Sequence, residues 1–347
     1  MAGAASLHAN KVHPVTITPD QIQVRLDALA KPPGSLARLE GLAVELAVAQ
    51  QNPTPVTRPR RIVLFAGDHG VVAQGVTPWP SAVTTAMVAT ILKGRATSTA
   101  LARAHGVDLR LVDSGIIEPL SGDLPPHYRS RPVARGSADL SRVPAMTEAQ
   151  FDAAWELGAS EACQAIGEGY RLLIAGEMGI GNTTPSACIT HALAGLDPDI
   201  ATGNGAGADN AMRAVKQRIV ANAVRRLEGR RDKVALAAIA GFEIVAMAGF
   251  YAEGARRGAA LLLDGYVTTA AALIADHLVP GTRRAMMAAH RSAEPGHGAA
   301  LARLGLEPVL DWGMRLGEGT GALVALPLLD SAAALLSDVA TLEEVLG

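Results

Sequence analysis

Glu318 stands in Leu316-Gly317-Glu318-Gly319-Thr320-Gly321, a carboxylate with glycine on either side. No neighbouring side chain shields it, so it can lie against a substrate, and a helix is expected to begin just after it. Such a group suits general-base work or stabilisation of a cationic centre; the plainer alternative is a helix-capping turn. A second candidate is Gly176-Glu177-Met178-Gly179-Ile180-Gly181-Asn182-Thr183-Thr184. Its glycines let a ligand approach the backbone, and the N–H groups of the helix it opens can hold a phosphate. No Lys follows, so it is not a Walker loop, and the glycine order is not the dinucleotide fingerprint. Gly203-Asn204-Gly205-Ala206-Gly207 is a second glycine loop, weak alone. Two such loops in one α/β chain fit a phosphorylated sugar held largely by backbone amides, chiefly at Gly176, Gly179, Gly181, Asn182, Gly203 and Gly205.

Two further groups have both a binding and a structural reading. Asp68 and His69, in Phe65-Ala66-Gly67-Asp68-His69-Gly70, can bind substrate or cap the following turn. Downstream, Trp79 in Thr77-Pro78-Trp79-Pro80 can wall an aromatic pocket or simply pack. His290-Arg291-Ser292-Ala293-Glu294-Pro295-Gly296-His297 suggests a metal at first glance, but its spacing is not H-E-x-x-H and Pro295 breaks any helical face. Local hydrogen bonding at a strand end is the expectation, with no metal.

The elements that must position these residues repeat as strand, loop, helix. Apolar runs at 62–66, 109–112, 172–175, 260–263 and 285–289 each end in Gly, Asp or His, and each is followed by a helical stretch. Short buried strands alternating with helices imply an α/β fold with a parallel sheet covered on both faces. Ligands in such sheets bind at the carboxyl ends of the strands, where the candidate residues cluster. Thr18-Pro19-Asp20-Gln21 and Thr147-Glu148-Ala149-Gln150 carry helix-start capping patterns. A second helix is expected from Ser35 to about Gln50, a linker over 53–59, and a long connection, a flap or a dimer contact, over 116–145.

Composition closes off several classes. The chain has 347 residues, 49% of them apolar, which supplies a large core. A formal charge of -2 and 3% aromatics argue against a nucleic-acid partner. Cys163 and Cys188 form no C-x-x-C pair, so a disulfide framework is not expected and a reducing cytoplasm is. Met1 to Asn10 has no long apolar run of the signal-peptide kind. Val234 to Ala252 approaches the length of a membrane span, but Glu243 at its centre would cost about 2.5–3.5 kcal/mol in a bilayer. It reads as one buried helix, and no membrane association is expected.

Taken together and in order, these motifs resemble the nicotinate-nucleotide–dimethylbenzimidazole phosphoribosyltransferase family of cobalamin nucleotide-loop assembly. The matching segments are Lys31-Pro32-Pro33-Gly34-Ser35-Leu36 with Leu39-Glu40, Ala66 to Val71, Gly176 to Thr184, Gly241-Phe242-Glu243-Ile244 with Ala246 to Gly249, Leu263-Asp264-Gly265, His290 to His297, and Gly317 to Gly321. The resemblance spans about residues 18 to 330. It implies a Rossmann-like large domain (60–310), a small helical domain from the two terminal segments (1–59 and 311–347), and a homodimer. It implies that nicotinate mononucleotide and 5,6-dimethylbenzimidazole give α-ribazole 5'-phosphate and nicotinate, with no cofactor. It further implies Glu318 as catalytic base, Glu177 and Lys216 beside the glycine loops at the ribose phosphate, and Thr77, Thr85 and Leu316 at the base. Asp68, His69 and Ser292 remain further site candidates. The chain departs from the family pattern at Thr77-Pro78-Trp79-Pro80-Ser81-Ala82 and in the second glycine loop, where an Arg and a Thr are more usual.

Rival readings make different demands. A dehydrogenase on a similar sheet needs G-x-G-x-x-G after the first strand and an acidic residue about 20 positions on, absent in that form. A non-catalytic nucleotide-binding protein would need no unshielded carboxylate at 318. A metal hydrolase would lose activity to a chelator.

Overall fold

The computed structural model describes residues 17–347 except Ala206; the Met1–Asn10 segment considered above lies outside them. Seven strands form one sheet: β1 Arg60–Gly67, β2 Asp108–Gly115, β3 Tyr128–Ser130, β4 Leu172–Met178, β5 Ala260–Leu263, β6 Met286–His290 and β7 Pro308–Leu310, in the order β3-β2-β1-β4-β5-β6-β7. Every neighbouring pair is parallel. β1, β4, β5 and β6 are buried along their whole length. Strands covered on both faces read as unbroken apolar runs rather than alternating ones, and this is the expected Rossmann-like α/β class. The chain builds outward from β1 to β2 and β3, then returns to β1's other side with β4. Sheets with such a reversal bind ligands at the carboxyl ends of their strands.

Two strands escaped the sequence reading. β3 and β7 are three residues each at the sheet's edges, too short for periodicity to register, and β3 lies inside the long 116–145 connection. The apolar stretch from 234 is also not one helix. It forms Lys233–Ile239 and Phe242–Arg256, separated at Ala240-Gly241. A Cβ on Gly241 would lie 2.3 Å from His69 Cε1, so the break is where this segment folds against the end of β1. Glu243 is then a first-turn residue, fully buried and paired with His69 rather than mid-span.

Phe242–Arg256 lies against Glu148–Gly167 with the two backbones in contact. A Cβ on Gly158 would sit 1.6 Å from Ala246 O, and one on Gly249 2.1 Å from Trp155 O. Among the described residues the helix Thr320–Asp338 is long and apolar enough to cross a membrane, yet 61% of its most apolar window is buried and Leu323, Leu326 and Leu329 join the main core. The capping boxes at Thr18 and Thr147 form as read, the second helix begins at Arg38, and both cysteines are free. A separate apolar cluster joins Ile22, Leu26 and Leu29 to Leu42, Ala43 and Ala47, and to Ala332 and Leu336. It ties the N-terminal helices to the end of the chain.

Candidate active site

A cavity of about 460 Å³ opens at the carboxyl ends of β4, β5 and β6. Glu177 ends β4, Asp264 and Gly265 follow β5, and His290 ends β6, with Ser292 and Glu294 just beyond. The Arg315–Glu318 segment closes one side. A larger cleft of about 810 Å³, bounded by residues 135–150 and 226–242, has none of these strand-end carboxylates.

Glu318 sits in the left-handed region (φ 58°), between Gly317 (φ 88°) and Gly319 (φ 73°). A non-glycine residue there is held by its surroundings rather than by preference. A Cβ on Gly176 would be 2.9 Å from Glu318 C, so the glycine in β4 lets the turn lie directly on the strand. The turn closes through the Thr320 hydroxyl, which donates to Gly317 O at 2.7 Å. Asp264 accepts from the N–H groups of Gly319 and Ala322, both at 3.1 Å. This holds the start of the Thr320–Asp338 helix, where a carboxylate is favoured. Glu318 is 5% exposed, and its Oε2 accepts from the Ser98 hydroxyl at 2.8 Å. Burial raises its carboxyl above the usual range, the Ser98 hydrogen bonds oppose this, and the charge on Asp264 adds to it.

Glu177 shares the cavity. Burial pushes its carboxyl up to about 8, partly opposed by the Asn182 side-chain amide, with the charges on Asp264, Glu243 and Glu318 adding to the rise. A group so placed is mostly protonated at neutral pH and has a proton to donate to a bound ligand. Lys216 is fully buried; its ammonium donates to Thr183 Oγ1 at 2.5 Å and to Gly203 O at 3.2 Å. Burial lowers it to about 8, with Glu294 pulling the other way.

The two glycine loops flank this cavity differently. Gly179, Ile180, Asn182 and Thr183 line it and lead into the helix Thr183–Ala194, with Gly181 (φ 91°) making the turn. Ile180 N–H donates to Thr84 Oγ1 at 3.2 Å. In the second loop Gly205 N–H already donates to Glu294 Oε1 at 2.9 Å, and Arg315 donates to Gly205 O at 3.2 Å. A Cβ on Gly203 would lie 2.0 Å from Glu294 Oε2, so an anion held by that loop's amides would have to contend with a carboxylate.

Asp68 and His69 sit beneath the cavity rather than on its wall. His69 donates from Nε2 to Glu243 Oε1 at 2.8 Å, both fully buried. Burial alone would lower His69, but the charge and hydrogen bond of Glu243 overcome it and leave the imidazole raised. Asp68 accepts from Ile117 N–H at 2.9 Å. A Cβ on Gly179 would be 3.2 Å from His69 Nε2, so this pair supports the first glycine loop from below. Ser292 lines the cavity; its N–H donates to His297 Nδ1, and its hydroxyl accepts from Glu294 N–H. Among the described residues no group of three His, Cys, Asp or Glu is arranged to hold a metal.

Leu316 lines the cavity, but Thr77 and Thr85 are not among its lining residues. Thr85 donates to Glu118 O at 2.8 Å on the outer side, and Thr77 accepts from Trp79 N–H. One helix turn explains the displacement. Val83 and Met87 of Ala82–Leu92, four residues apart, face the cavity with Trp79, and Thr85, between them, points away. The sequence reading therefore did not place Val83, Met87, Ser98, Asp264 or Arg315 in the site, and took up Glu294 only within the 290–297 segment. Asp264 and Glu294 were visible as acidic residues at strand ends. Ser98, in Thr97-Ser98-Thr99-Ala100, carries no such signal.

A family model described as Phosphoribosyltransferase matches residues 14–345. A Chromobacterium violaceum protein named nicotinate-nucleotide–dimethylbenzimidazole phosphoribosyltransferase is 44% identical over 324 residues, covering 93% of either chain. One of the same name from Mycobacterium marinum is 46% identical over 326 residues, covering 93% of this chain and 90% of that one. The crystal structure of CobT from Thermus thermophilus superposes with a TM-score of 0.90 at 42% identity, over 94% of this chain and 98% of that one.

Proposed function

Because this chain belongs to the nicotinate-nucleotide–dimethylbenzimidazole phosphoribosyltransferase family, we propose that it transfers the phosphoribosyl group of nicotinate mononucleotide to 5,6-dimethylbenzimidazole, with Glu318 as general base. The observation that carries the reading is Glu318 itself, a carboxylate fixed in a left-handed turn at the wall of an otherwise largely apolar recess formed by Trp79, Val83, Met87 and Leu316. A neutral benzimidazole has one ring N–H and one nitrogen lone pair. The lone pair attacks C1' of the ribose from the face opposite nicotinate. As that bond forms, the bond from C1' to the pyridinium nitrogen breaks and its electron pair neutralises the pyridinium. The attacking ring becomes cationic, and Glu318 takes its N–H proton. Nicotinate leaves without needing an acid, and attack from the far face gives the α-glycoside.

The charge states divide the labour between the two glutamates. Glu177, mostly protonated at neutral pH, is a poor base and a good donor to a ribose hydroxyl. In Glu318 burial also raises the carboxyl, but there the Ser98 hydroxyl opposes the rise by favouring the ionised form, the one a base needs. The phosphate would be met by the first glycine loop at the start of its helix and by Lys216. We read residues 1–59 and 311–347 as a small helical domain, supported by the separate apolar cluster of both ends. We also read the protein as a homodimer: Trp79, Leu316 and Trp312 are exposed apolar side chains that a second copy would cover.

The test is product analysis with nicotinate mononucleotide and 5,6-dimethylbenzimidazole, without added metal, beside Glu318→Gln. Formation of α-ribazole 5'-phosphate by the wild type and a loss of about 10²–10⁴ in kcat in the variant are expected. No product with any benzimidazole, despite nucleotide binding, would leave only a non-catalytic binding role.

A further inference from the structure

Glu318 is held from two sides by residues that the proposed chemistry does not itself use. Ser98 comes from the helix Thr97–Ala104, is fully buried, and donates to Glu318 Oε2 at 2.8 Å. Asp264 comes from the end of β5, is 1% exposed, and grips the backbone on the other side of the same residue, at Gly319 N and Ala322 N. A left-handed conformation at a glutamate is disfavoured, so it persists only while something holds it. We infer that Ser98 and Asp264 are positioning residues for Glu318: together they fix its carboxylate in the cavity. This inference rests on the reading of Glu318 as the base.

The two also act on the carboxylate's basicity in opposite directions, on top of the rise that burial causes. A hydroxyl donating to a carboxylate stabilises the anion and weakens the base. A nearby second carboxylate destabilises the anion and strengthens it. The other ionisable groups lining this cavity are Glu177 from β4, Tyr266 after β5, His290 from β6 with Glu294 beyond it and, on Glu318's own segment, Arg315. His290 Nε2 is 3.7 Å from Asp264 Oδ1, and with the backbone N–H groups it favours the ionised form of Asp264 against burial, which raises that carboxyl overall. Ser98 acts on the carboxylate directly, whereas Asp264 acts through the helix start and through its charge.

The experiment is the pH dependence of kcat/KM, which reports the free enzyme, for wild type, Ser98→Ala, Ser98→Thr and Asp264→Asn, with thermal midpoints alongside. Ser98→Ala is expected to move the acid limb to higher pH and Ser98→Thr to restore it. Asp264→Asn is expected to move the limb to lower pH. Both Ser98→Ala and Asp264→Asn should lower kcat by about 10- to 100-fold through misplacement of the base. If Asp264→Asn does not fold, the two Ser98 variants decide the matter by the upward shift and its restoration. Limbs that stay put, or that move the same way in Ser98→Ala and Asp264→Asn, would overturn the inference and leave both residues as packing. Glu318→Gln, run in parallel, separates the two failures. If it keeps both activity and acid limb, the general-base reading is what fails. If it loses them while the other variants leave the limb unmoved, only the positioning inference fails.

Discussion

Gly317 and Glu177 meet so closely that a single added methyl would not fit: a Cβ at 317 would lie 2.3 Å from Glu177 Oε1. The turn that presents Glu318 is thus laid against the carboxyl of a second cavity glutamate, and the glycine before Glu318 is a spatial requirement as well as a conformational one, given its φ of 88°. Gly317→Ala is expected to displace either the turn or Glu177. Steady-state kinetics should show kcat reduced by about 100-fold, as for a small misplacement of a catalytic group, with the thermal midpoint lowered as well, because alanine is strained at this φ. A variant of wild-type activity would mean that the turn has slack.

The raised carboxyl of Glu177 has a consequence for stability. Its folded value is about 8 against an ordinary 4.5. Below pH 4.5 the side chain is neutral folded or unfolded, so it costs nothing. As pH rises from there, the unfolded chain ionises freely while the folded one resists, and stability falls until about pH 8. Glu177→Gln is neutral throughout. It should match the wild type near pH 4.5 and exceed its thermal midpoint by about 2 °C or more at pH 8. Equal midpoints at both pH values would show that the folded-state carboxyl ionises normally.

Lys216 titrates with the opposite sign. Burial lowers its ammonium to about 8, so above that pH the free enzyme would present a neutral amine to the nucleotide phosphate. We expect kcat/KM for nicotinate mononucleotide to fall above about pH 8. Lys216→Met, uncharged at all pH values, should be weaker throughout, mainly through KM, and lack that alkaline limb. An unchanged alkaline limb in the variant would assign it to another group.

The strands that frame the cavity were legible because parallel strands buried on both faces leave unbroken apolar runs, and the glycines and acids that stop those runs line it. Asp264 after β5 and His290 at the end of β6 could be found that way. Ser98 could not, since a serine near the start of a helix looks the same whether it caps, faces solvent or reaches a residue 220 positions away. The break at Gly241 was hidden for a related reason. Its apolar surroundings continue on both sides, and what interrupts the helix is His69, brought there by the fold. The resemblance pointed to Thr77 and Thr85, whereas the cavity is lined two residues away, at Trp79, Val83 and Met87, because helix geometry turns Val83 and Met87 inward.

The contact between Glu148–Gly167 and Phe242–Arg256 matters to the site, because the second of these helices begins with Glu243, the partner of His69 under the first glycine loop. Their backbones touch where Gly158 faces Ala246, leaving 1.6 Å for a Cβ at 158. Gly158→Ala gains helix propensity of about 1 kcal/mol, but the helices must separate to admit the methyl, and overpacking of this kind costs about 1–3 kcal/mol or more. With backbone rather than a flexible side chain in the way, the upper end of that range applies, so the net effect is destabilising by about 2 kcal/mol or more. Denaturant unfolding should show a lower midpoint at unchanged slope. Any shift of Phe242–Arg256 would also carry Glu243 away from His69, so we expect the KM for nicotinate mononucleotide to rise even under conditions where the variant is fully folded. A variant as stable as the wild type, with unchanged KM, would mean that the two helices are not in backbone contact in solution.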